Sequence, residues 1–173
     1  MTLPALETYQ LILGEELDDE YYQLLQHKLR DYNRRAAPRM EPPEAIPLNI
    51  RVVDGSGQTA GGLAGLTYWE WLVIKLLVLD DRLRGNGLGQ RVIQLAHAEA
   101  RRRGCTSAQT ATYDFQALKF YQRQGYRIVG RLADYPDGYD YYWLRKDFEE
   151  DDAATDKAQA TAGSDDVISI DGL

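Results

Sequence analysis

The feature that most constrains the fold is an apolar run that passes through a glycine-rich turn into a helix. Residues 71–80 (WLVIKLLVLD) are nearly apolar apart from Lys75 and the final Asp80, which predicts a strand at the centre of a sheet. Residues 84–89 (RGNGLG) contain three alternating glycines, and residues 87–103 have apolar positions at helical spacing with Gly104 as the stop. We therefore predict a fold in which strands and helices alternate.

The glycine-rich turn, Arg84–Gly89, resembles an anion site. Glycines let the backbone approach an anion, and the unpaired first N–H groups of the next helix point at it. Gln90 and Arg91 follow in place of the Lys-Ser/Thr of a P-loop, and the third glycine of a dinucleotide fingerprint is missing at its required offset. The turn thus predicts a phosphate or pyrophosphate site, and the alternative is a simple strand-to-helix connection.

The other predicted elements follow from periodicity and from Gly and Pro. Asp114 is the predicted N-cap of a short helix at 115–124, and Gly125 follows the end of that helix. The full set is a strand at 8–13, a helix at 18–35, a loop at 36–47, strands at 48–54, 60–69 and 106–113, a helix at 115–124, and a closing hairpin of residues 126–133 and 139–148 around the turn YPDG.

Charge separates a neutral body from an acidic tail. Residues 149–173 hold eight acids and one base, and removing these from the totals of 27 acids and 20 bases leaves 19 of each. A balanced body argues against a nucleic-acid partner. The tail has too few large apolar groups to form a core, so we predict one domain at 1–148 and disorder at 149–173.

The cellular setting is predicted from the cysteine count and from hydropathy. A single cysteine, Cys105, excludes an internal disulfide and fits a reducing cytoplasm. The start lacks the basic and apolar regions of a signal peptide, and residues 72–79 are too short to span a bilayer. We expect a soluble cytoplasmic protein without membrane, nucleic-acid or metal partners.

The order strand, R-x-x-G-x-G, helix, strand and ALKFYQRQGYR resembles the GCN5-related N-acetyltransferase (GNAT) superfamily over residues 48–147. The resemblance implies an α/β fold with a mixed, mostly antiparallel sheet, a splayed strand pair and flanking helices. It implies that acetyl-CoA is the acetyl donor. The residues that would contact it through their main chain are Leu77, Val78 and Leu79 on the splayed strand and Arg84, Gly85, Asn86, Gly87, Leu88 and Gly89 in the turn.

Acetyl transfer to an amine requires a proton for the leaving thiolate, a donor for the oxyanion and a neutral nucleophile. Tyr121 matches the tyrosine that many members of this family place beside the CoA sulfur, and its alternative is a core aromatic residue. Glu70 is the nearest carboxylate in sequence to the central strand and the candidate base. It also fits a solvated turn residue, and proton loss through water would need no side-chain base. The oxyanion donor is expected to be a backbone N–H near Leu77 or Val78.

The remaining reactive side chains are predicted to be structural. His27 and His97 are expected at the surface, Cys105 in the core, and the arginines at 101–103 at a solvated helix end that favours the negative end of the helix dipole.

The acceptor site is predicted where aromatic and acidic residues converge. The strand corner and the final hairpin supply Trp69, Trp71, Tyr135, Tyr139, Tyr142 and Trp143, with Glu70, Asp134, Asp137 and Asp140. Aromatic walls with carboxylates suit a cationic small amine. In the alternative, the tyrosines fill the core and a homodimer contact. The function predicted is an acetyl-CoA-dependent N-acetyltransferase, with a non-catalytic acyl-CoA-binding module and a protein acetyltransferase as the other candidates.

Overall fold

The computed structural model describes residues 10–16, 18–38 and 44–148. Contacts divide the chain into two units, Met1–Pro42 and Pro43–Leu173. The first unit contains helix α1, Asp19–Ala36, within one residue of the predicted 18–35, and Asp18 caps it because its carboxylate accepts the N–H groups of Glu20 and Tyr21. None of its residues is buried.

The second unit is built on one six-stranded sheet in the order β1-β2-β3-β4-β6-β5. Its strands are β1 Ile46–Val53, β2 Thr59–Tyr68, β3 Trp71–Leu79, β4 Ser107–Tyr113, β5 Arg127–Leu132 and β6 Tyr141–Asp147, and its helices are α2 Leu88–Arg102 and α3 Leu118–Arg123. Every neighbouring pair is antiparallel except β3 and β4. The predicted mixed, mostly antiparallel sheet is therefore confirmed.

Strand β3 carries a bulge at its midpoint. Ala64 of β2 pairs with Leu76 and Gly65 pairs with Ile74, so Lys75 is the extra residue. The bulge reverses the alternation of the strand: Leu72 and Ile74 are buried before it and Leu79 after it. Because a bulged strand bends, this residue changes the direction of β3 in mid-sheet.

The two parallel strands separate beside this bulge. Their pairing extends only from Trp71↔Ser107 to Val73↔Gln109. From Ile74 onward β3 has no backbone partner on β4, although β4 remains paired with β6 along its whole length. The result is the predicted splay, a gap between residues 74–79 and 110–113 that opens toward the turn after β3.

The core lies on the face of the sheet that α2 and α3 cover. Leu72, Ile93, Ala108 and Leu144 are at most 1% exposed, and Tyr121 and Tyr126 join the same cluster. Burying one Leu or Ile side chain contributes about 1.5–3 kcal/mol. This packing holds α2 and α3 against the strands that border the gap.

Several predicted boundaries are wrong. Residues 10–13 form no strand, while the rest of the strand predicted at 8–13, like the tail at 149–173, lies outside the described residues. Helix α3, which was predicted at 115–124, begins at Leu118, and its N-cap is Ala117. Asp114 precedes a turn instead, because its carboxylate accepts the N–H groups of Phe115 and Asp140.

Candidate functional site

The glycine-rich turn lies at the open end of the gap. Gly85 and Gly87 have φ values of 80° and 87°, which L-residues with a side chain rarely adopt, and no atom would contact a Cβ at either position. The backbone here is therefore open to a ligand. The Leu88 N–H donates to Asn86 Oδ1, and the first backbone bond of the helix runs from the Arg91 N–H to the Gly87 carbonyl.

The start of α2 thus presents N–H groups to an anion. Gly89 and Gln90 lie in the first turn, where no carbonyl one turn back is available to them. Gly89 also lets the helix pass close to β3 and α3, since a Cβ there would contact Leu79 and Phe120. The arrangement has the exposed amides, the positive dipole end and the free approach that a phosphate or pyrophosphate requires.

Arg82 and Arg84, the two arginines beside the glycines, have partners next to the turn. Arg82 lies 3.5 Å from the carboxylates of Asp54 and Asp80, and Arg84 pairs with Asp81 at 3.1 Å. Arg84 also donates from Nε to the Leu79 carbonyl at 3.2 Å. In this arrangement the arginine side chains brace the turn.

The backbone of β3 beyond the bulge faces the gap. The Asp80 N–H donates to the Ala60 carbonyl on β2. Because the C=O and N–H of a trans peptide point in opposite directions, the Leu79 carbonyl points toward the gap. By strand alternation Leu77 presents its N–H and C=O to the same side. These are two of the main-chain positions that the sequence predicts for the ligand.

Tyr121 lies at the closed end of the gap. Its side chain is 4% exposed and packs in the same core cluster as Ile74. Burial raises the pKa of Tyr121, and a hydrogen bond with the Thr110 hydroxyl acts in the opposite direction. That hydroxyl also donates to the Ile74 carbonyl at 3.1 Å. Tyr121 is therefore protonated at neutral pH and lies in the core cluster that contains Ile74, the first residue of β3 beyond its pairing with β4.

The structure does not bring Glu70 to Tyr121. Trp69 and Glu70 form the two-residue turn between β2 and β3, both with positive φ. The Glu70 carbonyl accepts the Thr106 N–H, which places the residue at the start of β4, at the other end of β3 from the glycine-rich turn. This position fits the alternative of an exposed turn residue.

An aromatic cluster borders the open end of the gap on the β4 side. Tyr113 ends β4 and contacts Phe115 and Tyr141, with ring centroids 5.2 and 4.9 Å apart. The chain of ring contacts continues through Tyr139, Tyr135 and Trp143. The aromatic cluster thus comprises Tyr113, Phe115, Tyr135, Tyr139, Tyr141 and Trp143, and four of the six are exposed (Phe115, Tyr135, Tyr139 and Trp143).

Three of the predicted acceptor aromatics lie elsewhere. Tyr142 is on the opposite face of β6, where its hydroxyl donates to Asp140. Trp71 stacks with the Arg145 guanidinium at 4.8 Å, and Trp69 contacts Tyr68. The Asp140 carboxylate pairs with Arg131, so only Asp134 and Asp137 remain as exposed acids of the hairpin turn.

The prediction that His97 lies at the surface is wrong. Its side chain is 5% exposed, and Nε2 lies 2.8 Å from the Tyr126 hydroxyl. Burial, and then the charges of Lys146 and Arg101, lower its pKa to about 3. The apolar stripe of α2 is wider than its aliphatic residues indicate, because Phe148 and Tyr126 close over His97.

The predictions for Cys105 and His27 are confirmed. The prediction that the arginines at 101–103 form a solvated helix end is wrong in part. Cys105 is buried, which raises its pKa, and His27 is exposed. Arg103 is not free in solvent: it pairs with Glu99 at 2.6 Å and donates to the Pro47 carbonyl at 2.9 Å. Arg101 lies over the Phe148 ring.

Sequence reasoning missed the bulge in β3, for which there was a weak signal, and the side-chain contacts that strand register creates, for which there was none. Lys75 interrupts an apolar strand, and a charged residue there is typical of a bulge. Gly65 opposite it leaves room for the β3 backbone, since a Cβ would meet the Val73 carbonyl. The hydrogen bond from Thr110 to Ile74 and the ring contact of Tyr113 with Tyr141 depend on strand register, which only the sheet defines.

The comparisons with known proteins agree on one group of enzymes. The model of the acetyltransferase (GNAT) family matches residues 9–126. The chain is 44% identical over 117 residues to a blasticidin-S acetyltransferase of Streptomyces morookaense, covering 65% of this chain and 86% of that protein. It is 31% identical over 137 residues to the acetyltransferase Atu2258 of Agrobacterium fabrum, covering 79% and 98%.

A solved structure has the same fold. The crystal structure of an acetyltransferase from Agrobacterium tumefaciens superposes with a TM-score of 0.73 at 31% identity, and covers 81% of this chain and all of that one. Among the described residues, no helix has the length and hydropathy of a transmembrane span.

Proposed function

Because the chain belongs to the acetyltransferase (GNAT) family, we propose that it transfers the acetyl group of acetyl-CoA to the amine of a small molecule. The chain is an N-acetyltransferase. What remains to be proposed is the donor, the acceptor and the residues that act. The observation that carries the proposal is the gap between β3 and β4, with the glycine-rich turn at its open end and buried Tyr121 at its closed end.

The residues present fit an acyl-CoA. The amides at 85–90 suit its pyrophosphate, and the β3 edge that faces the gap suits the amides of its pantetheine arm through Leu77 and through the Leu79 N–H, because the Leu79 carbonyl already accepts a hydrogen bond from Arg84. Val78 and Leu88 complete the set of contacts that the proposal includes. When bound, acetyl-CoA supplies a thioester whose sulfur leaves as a thiolate.

Two groups of the chain would serve the chemistry. Tyr121 holds a proton at neutral pH, because burial raises its pKa above that of a free phenol, and donates it to the leaving sulfur. The backbone N–H of Leu77, which faces the gap, would donate to the oxyanion, whereas the Val78 N–H points to β2. The base role predicted for Glu70 stays a prediction, and loss of the amine proton to water is the route that the position of Glu70 favours.

The acceptor proposed is a small cationic amine that binds to the aromatic cluster. The exposed rings of Phe115, Tyr139 and Trp143 offer faces for a cation, and Asp134 and Asp137 add negative charge beside them. The 44% identity to a blasticidin-S acetyltransferase makes a small-molecule antibiotic the first acceptor to test.

The test is release of free CoA thiol from acetyl-CoA with a panel of amines. The panel begins with blasticidin S and continues with aminoglycosides, polyamines, a lysine peptide and a peptide with a free N-terminus. We expect turnover with a small amine, and Tyr121→Phe should lower kcat by about 100-fold with little change in the Kd of acetyl-CoA. Turnover with the peptides alone would indicate a protein acetyltransferase, and acetyl-CoA binding without turnover would indicate a binding module.

A further inference from the structure

We propose that a pocket beside the closed end of the gap binds a neutral, planar heteroaromatic ring of the acceptor, which stacks on Trp71 and hydrogen-bonds with the Gln109 amide. The inference rests on the proposed acetyl transfer to a small amine. It deepens that proposal because it names the part of the acceptor that the enzyme would select. The pocket has a volume of about 220 Å³ and is lined by Tyr68, Trp69, Trp71, Val73 and Gln109.

The pocket lies directly beside the point at which the gap begins. Val73 and Gln109 form the last backbone pair of β3 and β4, and both side chains line the pocket. Leu72 is buried in the core that α2 and α3 cover, so by strand alternation Val73 faces the other side of the sheet. An acceptor in the pocket would therefore reach a thioester in the gap from the side of the sheet opposite Tyr121.

The Trp71 ring is held in place before any ligand binds. The Arg145 guanidinium lies over this ring, 4.8 Å from its centroid, and Arg145 Nε donates to Asp147 Oδ1 at 2.6 Å. The same carboxylate oxygen accepts the hydroxyl of Ser107 at 2.9 Å, and Ser107 is buried. Because Arg145 covers one face of the indole, the other face is left for an aromatic ligand, and little entropy is lost in fixing the ring.

The Gln109 side chain provides polar recognition at the edge of the pocket. It is exposed, and no hydrogen bond to its amide is formed within the described part of the chain. A primary amide carries an acceptor oxygen beside a donor nitrogen, so it can pair with a ring nitrogen and with the amino or carbonyl group next to that nitrogen. The pocket thus fits a ring of the nucleobase type, in which such groups are adjacent.

The charge of the lining distinguishes this pocket from the aromatic cluster. Its residues include no Asp, Glu, Lys, Arg or His, whereas Asp134 and Asp137 belong to the hairpin turn beside the aromatic cluster. A neutral ring therefore suits the pocket, and a cation suits the cluster. Gln109 and Tyr113 are four positions apart on β4, which corresponds to about 13 Å. An acceptor that spans this distance would carry its reacting amine past the closed end of the gap.

The first experiment measures binding alone, with the full-length protein and without acetyl-CoA. The three tryptophans give indole N–H signals in ¹H–¹⁵N spectra, which are assigned by their absence in Trp69→Phe, Trp71→Phe and Trp143→Phe. Adenosine and cytidine are the probes, and ribose is the control without a heteroaromatic ring. We expect either nucleoside to shift the signals of Trp69 and Trp71 saturably and to leave that of Trp143 in place, and ribose to shift none. Unmoved signals, or a shift at Trp143 alone, would overturn the inference.

Two variants test the stacking and the hydrogen bonds separately. Trp71→Leu removes the stacking surface, and Gln109→Leu removes the amide at an exposed position, where a loss of folding is not expected. Each should raise the Kd of adenosine by about tenfold, as reported by the Trp69 signal. Gln58→Leu is the matched control, because Gln58 is also exposed and precedes β2, whereas Tyr68 ends it. An adenosine Kd in Gln109→Leu equal to that in Gln58→Leu would overturn the inference.

The last experiment connects the pocket with acetyl transfer. The acceptors compared are 5′-amino-5′-deoxyadenosine and the methyl glycoside of 5-amino-5-deoxyribose, which lacks the base. We expect kcat/KM to be higher for the aminonucleoside by about tenfold, Gln109→Leu to reduce this preference, and Gln58→Leu to keep it. Equal kcat/KM for the two amines in the wild type would overturn the inference. If no amine is acetylated, the proposed function fails, and the indole titration still decides whether the pocket binds a heteroaromatic ring.

Discussion

At the scale of single residues, a histidine in α2 shows how burial changes the chemistry of a side chain. His97 is enclosed by Tyr126 and Phe148, and positive charge from Lys146 and Arg101 lies near it. Its pKa falls to about 3 in the folded protein from an ordinary value of 6.5. The folded state therefore requires the neutral ring, which hydrogen-bonds with Tyr126.

His97 should make the protein less stable in mild acid. Between pH 6.5 and 3 the unfolded state binds a proton at His97 and the folded state does not, so stability rises with pH in this window. The contribution of His97 is complete above pH 6.5 and is lost as the pH falls, by up to about 1.4 kcal/mol per unit. Urea unfolding of the wild type and of His97→Gln at pH 7, 6 and 5 measures this difference.

The exposed His27 provides the control for that experiment. His27→Gln should leave the pH dependence of the wild type unchanged, while His97→Gln should flatten it below pH 6.5. A difference between wild type and His97→Gln that is the same at all three pH values would contradict the assigned environment of His97.

At the scale of secondary-structure elements, α2 has a left-handed glycine at each end. Gly87 precedes the helix with φ 87° and Gly104 follows it with φ 83°, and neither would bring a Cβ within 4 Å of another atom. Alanine at either position thus meets the same backbone strain and no clash. The difference between the two ends is functional, since only Gly87 belongs to the proposed pyrophosphate site.

Alanine at these two glycines should separate stability from binding. Gly87→Ala and Gly104→Ala should each lower the free energy of unfolding by about 1–2 kcal/mol. Only Gly87→Ala should also weaken binding of CoA, by tenfold or more, because its Cβ lies where the pyrophosphate approaches the backbone. Calorimetry with CoA checks the binding, and an equal affinity in both variants would remove Gly87 from the site.

At the scale of the whole molecule, the described part of the second unit ends in a residue that is anchored to the core. Phe148 follows β6, and its N–H donates to the Thr106 carbonyl at 2.8 Å. Its ring contacts His97 and lies under the Arg101 guanidinium at 5.0 Å. The anchored core thus reaches Phe148, which is the last described residue.

A chain that ends at Phe148 should behave as the full-length enzyme does. We expect its Tm to stay within about 2 °C and its kcat/KM within about twofold, because the acidic residues at 149–173 are predicted to add no core. Calorimetric unfolding and the thiol assay check both quantities. A clear fall in Tm would mean instead that the tail, with its VISI segment at 167–170, pairs with an edge strand of the sheet.

Features that depend on neighbours in the sequence were predictable from sequence alone. The glycine-rich turn, the helix predicted at 18–35 and the apolar run of β3 are local, because a turn residue, a helical period or a strand face is defined within a few positions. The resemblance to acetyltransferases added two further predictions, the splayed strand pair and the mostly antiparallel sheet. The elements that position the proposed donor site are therefore predictable from the sequence.

Tertiary structure alone decided which side chains meet. The bulge at Lys75 depends on how β2 registers with β3, and the bond from Thr110 to Ile74 exists only because the two strands part at that point. Likewise, Phe148 arrives from the far end of the chain to bury His97. Such contacts join residues tens of positions apart, and the free energy that selects them comes from packing the whole sheet, which no local pattern contains.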